Sequence, residues 1–209
     1  FSVTDGATGL VTQVSNFELN FSSYKWHFGT ANTLSTAPHY FQIETTNTAD
    51  QNYAQDFTVE CFATLSSFNS ATQFIMTGTT GSGNYHNDWA FYIVGTTGKY
   101  KFGIGTSYFV SNISPVIGTW AHLAMSKTAT HTYFYINGVL AYTHTGGWGS
   151  SGNAGLNLGH YWSTQASQTV NDSYPFHGYI SQARMIGGTA LYNGSNFTPP
   201  TSHPVTAPF

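Results

Sequence analysis

The chain has 209 residues, and only 6% of them are Asp, Glu, Lys or Arg, against about 25% in an ordinary globular protein. Five basic and eight acidic residues leave a net charge of −3, which denies nucleic acid its electrostatic footprint, and 17% aromatic side chains exclude a disordered chain. No apolar run approaches the ~20 residues that span a bilayer, so membrane insertion is not expected. No signal peptide is visible, and a first residue of Phe rather than Met makes the chain either processed or a segment of something longer. The lone Cys61 allows no internal disulfide.

Taken in order, residues 1–36 offer sparse strand signals. Phe17, Leu19 and Phe21 alternate within Val11 to Tyr24, and Lys25 to Phe28 continues them. This part reads as a β extension or contact arm. Tyr40 to Glu44 is a short strand before the polar loop Thr45 to Gln55. Phe57 to Leu65 then places Phe57, Val59, Cys61, Ala63 and Leu65 on one face, which makes Cys61 a small buried hydrophobe. Gln73 to Thr77 and Trp89 to Val94 are strands on either side of the loop Gly78 to Asp88. Lys99 to Gly105 and Tyr108 to Val110 follow.

From Trp120 to Ser126 the chain alternates again, with Ala121, Leu123 and Met125 on one face. Tyr133 to Ile136 and Val139 to Tyr142 flank Asn137-Gly138, the strongest short-range hairpin signal, because a type I′ turn needs φ > 0 at both central positions. Such a turn pairs Ile136 with Val139, Tyr135 with Leu140, Phe134 with Ala141 and Tyr133 with Tyr142. Leu156 to Tyr161 and Tyr179 to Ile186 complete the strands, and residues 202–209 are a Pro-rich tail. Helical apolar spacing is nowhere sustained. Many short strands separated by turn clusters predict one all-β domain, a two-sheet antiparallel β-sandwich or jelly roll with little or no helix.

Three stretches carry a resemblance. G-T-W-A-H-L-A at 118–124 with Y-F-Y-I-N-G-V-L at 133–140 resembles the central segment of the laminin-G-like, concanavalin A-like jelly-roll superfamily. Asp56 to Phe62 (D-F-T-V-E-C-F) resembles that family's opening core strand, which usually reads D-F-T-I-E-F-W. Phe176 to Ile180 with Arg184, then Ala190-Leu191-Tyr192 and Asn196 to Thr201, resembles its closing segment, and Y-N-G-S-N-F-T-P-P-T is similar to its phage and bacterial-surface branches. The resemblance implies a jelly-roll domain over residues 37–201. It implies far less about activity, since one fold hosts many roles.

Glycoside hydrolysis needs two carboxylates roughly 5–9 Å apart, and the resemblance implies an E-x-D-x-x-E strand in the superfamily's hydrolases. No such run exists here. Asp5, Glu18, Glu44, Asp50, Asp56, Glu60, Asp88 and Asp172 are scattered. Asp56 and Glu60, the nearest pair, read as an Asp at the start of a strand and a glutamate bonded to neighbouring backbone. No nucleophile elbow or zinc spacing is present either, and His122, inside a strand, reads as a hydrogen-bonded core histidine. The expectation is a protein that is not an enzyme.

Glycan binding uses exposed aromatic faces beside amides and hydroxyls, because a sugar ring offers an apolar face and many hydroxyls. The loop candidates are Tyr85 and Trp89 in N-Y-H-N-D-W, Trp148 in G-G-W-G-S-S-G, and Tyr161 and Trp162 in G-H-Y-W-S-T-Q. Trp148 between glycines is open to a sugar platform, a protein contact or intrachain packing. Calcium is the one metal carried forward, since it takes oxygen ligands and the resemblance implies a rim site. Asn84, Asn87 and Asp88 in one loop, with Asn171 and Asp172 in another, are its candidates. Two functions remain open: a structural or decoration module on a virion or cell surface that forms homo-oligomers and touches glycans, or a stand-alone lectin-like module. Either places the protein outside a cell or on a virion.

Overall fold

The computed structural model describes the backbone of residues 2–4, 11–13, 24–30, 39–45, 56–80, 89–105, 107–146, 154–159, 161–162, 170–171, 174 and 176–200, and the side chains of 56–78, 89–105, 107–146, 158–159, 174 and 176–200. In chain order the strands are β1 (Ser2–Thr4), β2 (Val11–Gln13), β3 (Tyr24–Thr30), β4 (His39–Thr45), β5 (Phe57–Leu65), β6 (Gln73–Thr80), β7 (Trp89–Ile93) and β8 (Tyr100–Ile104). Then come β9 (Ser107–Val110), β10 (Ala121–Lys127), β11 (His131–Ile136), β12 (Val139–Thr145), β13 (Ala154–Leu158), β14 (Tyr161–Trp162), β15 (Val170–Asn171) and β16 (Gly178–Gly187). No helix occurs among the described residues.

Two antiparallel sheets pack as a sandwich. One has five strands in the order β12-β11-β10-β5-β16, the other seven in the order β3-β4-β13-β6-β7-β8-β9. Alternation fills the space between them. Val59, Cys61, Leu123, Met125 and Phe134 enter from the first sheet, and Ile75, Met76, Phe91, Phe102 and Ile104 from the second. Phe102 and Phe134 meet across the interface with ring centroids 4.9 Å apart. At one side, Phe109 of β9 stacks on Tyr142 of β12 at 4.3 Å, joining the two edges.

The Asn-Gly hairpin forms as its sequence demands, with φ of 52° at Asn137 and 74° at Gly138. Asn137 also accepts from the His122 backbone N–H through Oδ1, at 2.9 Å, so the turn is fastened to β10. Ile136 pairs with Val139 and Tyr135 with Leu140, as expected. Beyond them the register departs from expectation: a bulge pairs Phe134 with Tyr142 and Tyr133 with Thr143, leaving Ala141 as the extra residue.

Leu156 to Tyr161 is also not one strand. At Gly159 φ reaches 82°, β13 ends, and Tyr161 belongs to a separate two-stranded ladder. At the N-terminus β1 pairs with β2, and β3 is the outermost strand of the seven-stranded sheet through β4. Phe17, Leu19 and Phe21 lie outside the described residues.

Candidate functional site

The outer faces of the two sheets differ. On the five-stranded sheet, the even positions of β5 are as buried as the odd ones, and the closing segment lies across Thr58 and Glu60 among them. Leu191 N–H donates to Thr58 Oγ1 at 2.9 Å and Tyr192 N–H to Ser126 Oγ at 3.1 Å. Gly194 N–H donates to the Tyr135 hydroxyl at 2.8 Å, and Phe197 N–H to the Gly138 carbonyl at 2.9 Å. Tyr192 and Phe197 stack with centroids 3.6 Å apart, and Phe197 also packs edge-on against Tyr135.

Beneath this cover sits Glu60. Arg184 Nε donates to its Oε1, and the Tyr192 hydroxyl donates to its Oε2 at 2.6 Å. Sequence reasoning assigned Glu60 to nearby backbone, and the structure corrects this. Its partners are side chains more than a hundred positions away, brought in by β16 and the closing segment. Buried His122 places Nε2 3.2 Å from Glu60 Oε2, but neither ring nitrogen makes an aligned hydrogen bond among the described residues. His122 is thus a core histidine set directly against the Glu60 carboxylate.

Burial pushes the Glu60 carboxyl up, and the His122 contact, the Tyr192 hydrogen bond and the Arg184 charge outweigh it, leaving the carboxyl below its ordinary value. Both oxygens are engaged under a lid of protein. Asp56 stands at the head of β5, where its charge acts on Lys127. The pair is therefore not arranged as two carboxylates facing one cleft.

On the seven-stranded sheet the outward residues of β7 to β9 are more open. Phe74 of β6 and Tyr92 of β7 are register partners whose rings stack at 4.7 Å, outside the central core. Lys101 of β8 places Nζ 5.0 Å from the Tyr92 ring centroid and 3.4 Å from that of Tyr108 on β9. Tyr108 is 67% exposed. Burial, with a contribution from Tyr108, raises the Tyr92 hydroxyl above its ordinary value, so it stays a neutral hydrogen-bonding group. The chain between β13 and β16 leaves and rejoins this sheet at a pinned neck. Gly159 N–H donates to Ile75 O, and Phe176 N–H donates to Gly159 O, both at 2.9 Å. Within that excursion β14 approaches β6, and the Tyr174 ring meets Phe74 at 5.8 Å, nearly edge-on.

The sequence candidates distribute as follows. Trp89 opens β7, as its strand reading expects, but its ligand-facing role is corrected: the indole is fully buried against Phe91 at 5.7 Å and offers no face to a ligand. Tyr161 and Trp162 form β14 and pair with Asn171 and Val170 of β15, which brings an aromatic candidate beside an oxygen-bearing one. Asn84, Tyr85, Asn87, Asp88, Trp148 and Asp172 lie outside the described residues. Among the described residues no three His, Cys, Asp or Glu side chains cluster as a metal cage. Tyr92, Lys101, Tyr108 and Tyr174 were missed. Alternation on β7 could have found Tyr92, since Trp89, Phe91 and Ile93 face inward and the residues between them must face out.

A laminin-G-type profile described as the concanavalin A-like lectin/glucanases superfamily matches residues 35–191. No curated protein matches the chain by sequence. Among solved structures, a heptameric SAP-like pentraxin from Limulus polyphemus is similar at a TM-score of 0.52 and 15% identity, covering 76% of this chain and 74% of the pentraxin. Trypanosoma rangeli sialidase matches at 0.58 and 11% identity over 81% of this chain but only 28% of the sialidase. A proposed carbohydrate binding protein from Bacteroides ovatus matches at 0.50 and 16% identity, over 78% of this chain and 43% of that one. Identities this low establish shared fold alone. No helix among the described residues is long and apolar enough to cross a membrane.

Proposed function

We propose, from the premise that the chain belongs to the concanavalin A-like lectin/glucanases superfamily, that it is a non-enzymatic recognition module at the surface of a virion or cell. It binds glycans through the excursion between Gly159 and Phe176 and the aromatic face beside it. The observation that carries this is the meeting of Tyr174 with the Phe74–Tyr92 stack, in the same excursion that holds Tyr161 and Trp162. Aromatic rings next to amides and hydroxyls suit a sugar's mixed surface. Tyr85 and Trp148 are proposed as further rim contacts.

The non-catalytic part rests on Glu60, whose oxygens are occupied by Arg184 and Tyr192. The virion or surface setting rests on the closing Y-N-G-S-N-F-T-P-P-T pattern, and a homo-oligomer on the aromatic loops. The second reading, a stand-alone lectin-like module, keeps the same face and differs in being a monomer.

Mass in solution by light scattering, run beside a glycan array, separates the two. A discrete oligomer whose assembly Trp148→Ala disturbs supports the surface module. A monomer with hits removed by Trp162→Ala supports the lectin. A monomer with an empty array contradicts both. Hydrolysis of any glycan, abolished by Glu60→Gln, would overturn the non-enzymatic assignment.

A further inference from the structure

Cations are scarce: Lys25, Lys99, Lys101, Lys127 and Arg184 are all the chain has. Lys127 is buried in the five-stranded sheet, and Arg184 is committed to Glu60. The side chain of Lys25 lies outside those described. Lys101 stands on the outer face of β8, with Lys99 two positions before it, just ahead of the strand. The described carboxylates, Asp56 and Glu60, stand beside or on β5 in the opposite sheet.

Lys101 is also held in place. Its ammonium lies over the Tyr108 ring at 3.4 Å and near Tyr92 at 5.0 Å. A ring face holds a cation electrostatically without consuming its N–H donors. A lysine fixed this way loses less side-chain freedom on meeting an anion than one waving in solvent. Both flanking tyrosines carry hydroxyls, and Tyr108 presents most of its surface to solvent.

We propose that this face selects acidic glycans. The Lys101 ammonium takes a carboxylate or sulfate group, assisted by Lys99, while Tyr108 lies against the apolar side of the same or the adjoining sugar ring. The inference rests on the glycan-binding reading and names its ligand class.

The test is binding of the full chain to polygalacturonate, dextran sulfate and neutral dextran, with an array of neutral glycans as reference. Lys101→Gln and Lys101→Arg are measured beside the unaltered protein, with melting temperatures to verify folding. The expected result is binding to at least one acidic polymer, weakening as salt rises. Lys101→Gln should lose roughly tenfold or more, as for a charge-assisted hydrogen bond, while Lys101→Arg retains most of the affinity. Preference between polygalacturonate and dextran sulfate identifies the acidic group. Neutral glycans binding as well as acidic ones, or Lys101→Gln without effect, would overturn this inference and leave the glycan reading standing. No binding to any glycan would overturn both.

Discussion

The two outer faces of this sandwich began from the same alternation and ended in opposite states. On β5, Thr58, Glu60, Phe62 and Thr64 point away from the central core and are buried nonetheless, Thr58 and Glu60 beneath a segment that arrives from the end of the chain. On β7 to β9, Tyr92, Lys101 and Tyr108 point away from the same core and remain partly or largely exposed. Period two tells which residues leave the core, and says nothing about what covers them afterwards. The covered face should serve stability and the open face binding, and substitutions can break or sharpen that division.

The largest effect is expected at Gly138. A Cβ there would run into the Phe197 carbonyl oxygen and press on Pro199, and its φ of +74° already disfavours a side chain. Gly138→Ala should lift the closing segment and cost about 3 kcal/mol or more by denaturant unfolding. Glu60→Ala comes next. It strands the Tyr192 hydroxyl and His122 in the interior, while Arg184, being half exposed, is partly resolvated. About 2 kcal/mol is the expected loss.

Acid should probe the same face. The Glu60 carboxyl lies lower in the folded protein than in the unfolded chain, so its contribution is present above about pH 4.3. That contribution is lost as pH falls through the folded value. Melting temperature should drop on acidification below about pH 4, and Glu60→Gln should flatten this part of the profile. A profile left unchanged by Glu60→Gln would remove the carboxylate from the account of the covered face. The smallest effect on stability belongs to Tyr108→Ala, expected within about 0.5 kcal/mol of the unaltered protein because it is an exposed position.

Much of the fold was legible because its signals are local. The Asn137-Gly138 turn, the core face of β5 and the alternation of β10 each lie within a few residues of their cause. The bulge at Phe134 was not, since an inserted residue leaves the composition of the run unchanged. Trp89 was legible as the start of a strand, but its polar neighbours suggested a ring open to ligand, whereas the core takes its indole. Glu60 was misread because its partners lie 124 and 132 positions away, and no periodicity carries that distance. The open face was half legible. Its residues follow from alternation, but Tyr174 reaches Phe74 only through the neck closed between Gly159 and Phe176.

The division of labour is tested most directly by measuring two variants side by side, Tyr108→Ala and Tyr192→Phe, for both glycan affinity and melting temperature. Tyr108→Ala should lose affinity at an unchanged melting temperature. Tyr192→Phe, which removes one hydrogen bond to Glu60 and keeps the ring on Phe197, should lower the melting temperature and leave affinity intact. Loss of affinity in Tyr192→Phe with Tyr108→Ala unaffected would contradict the account.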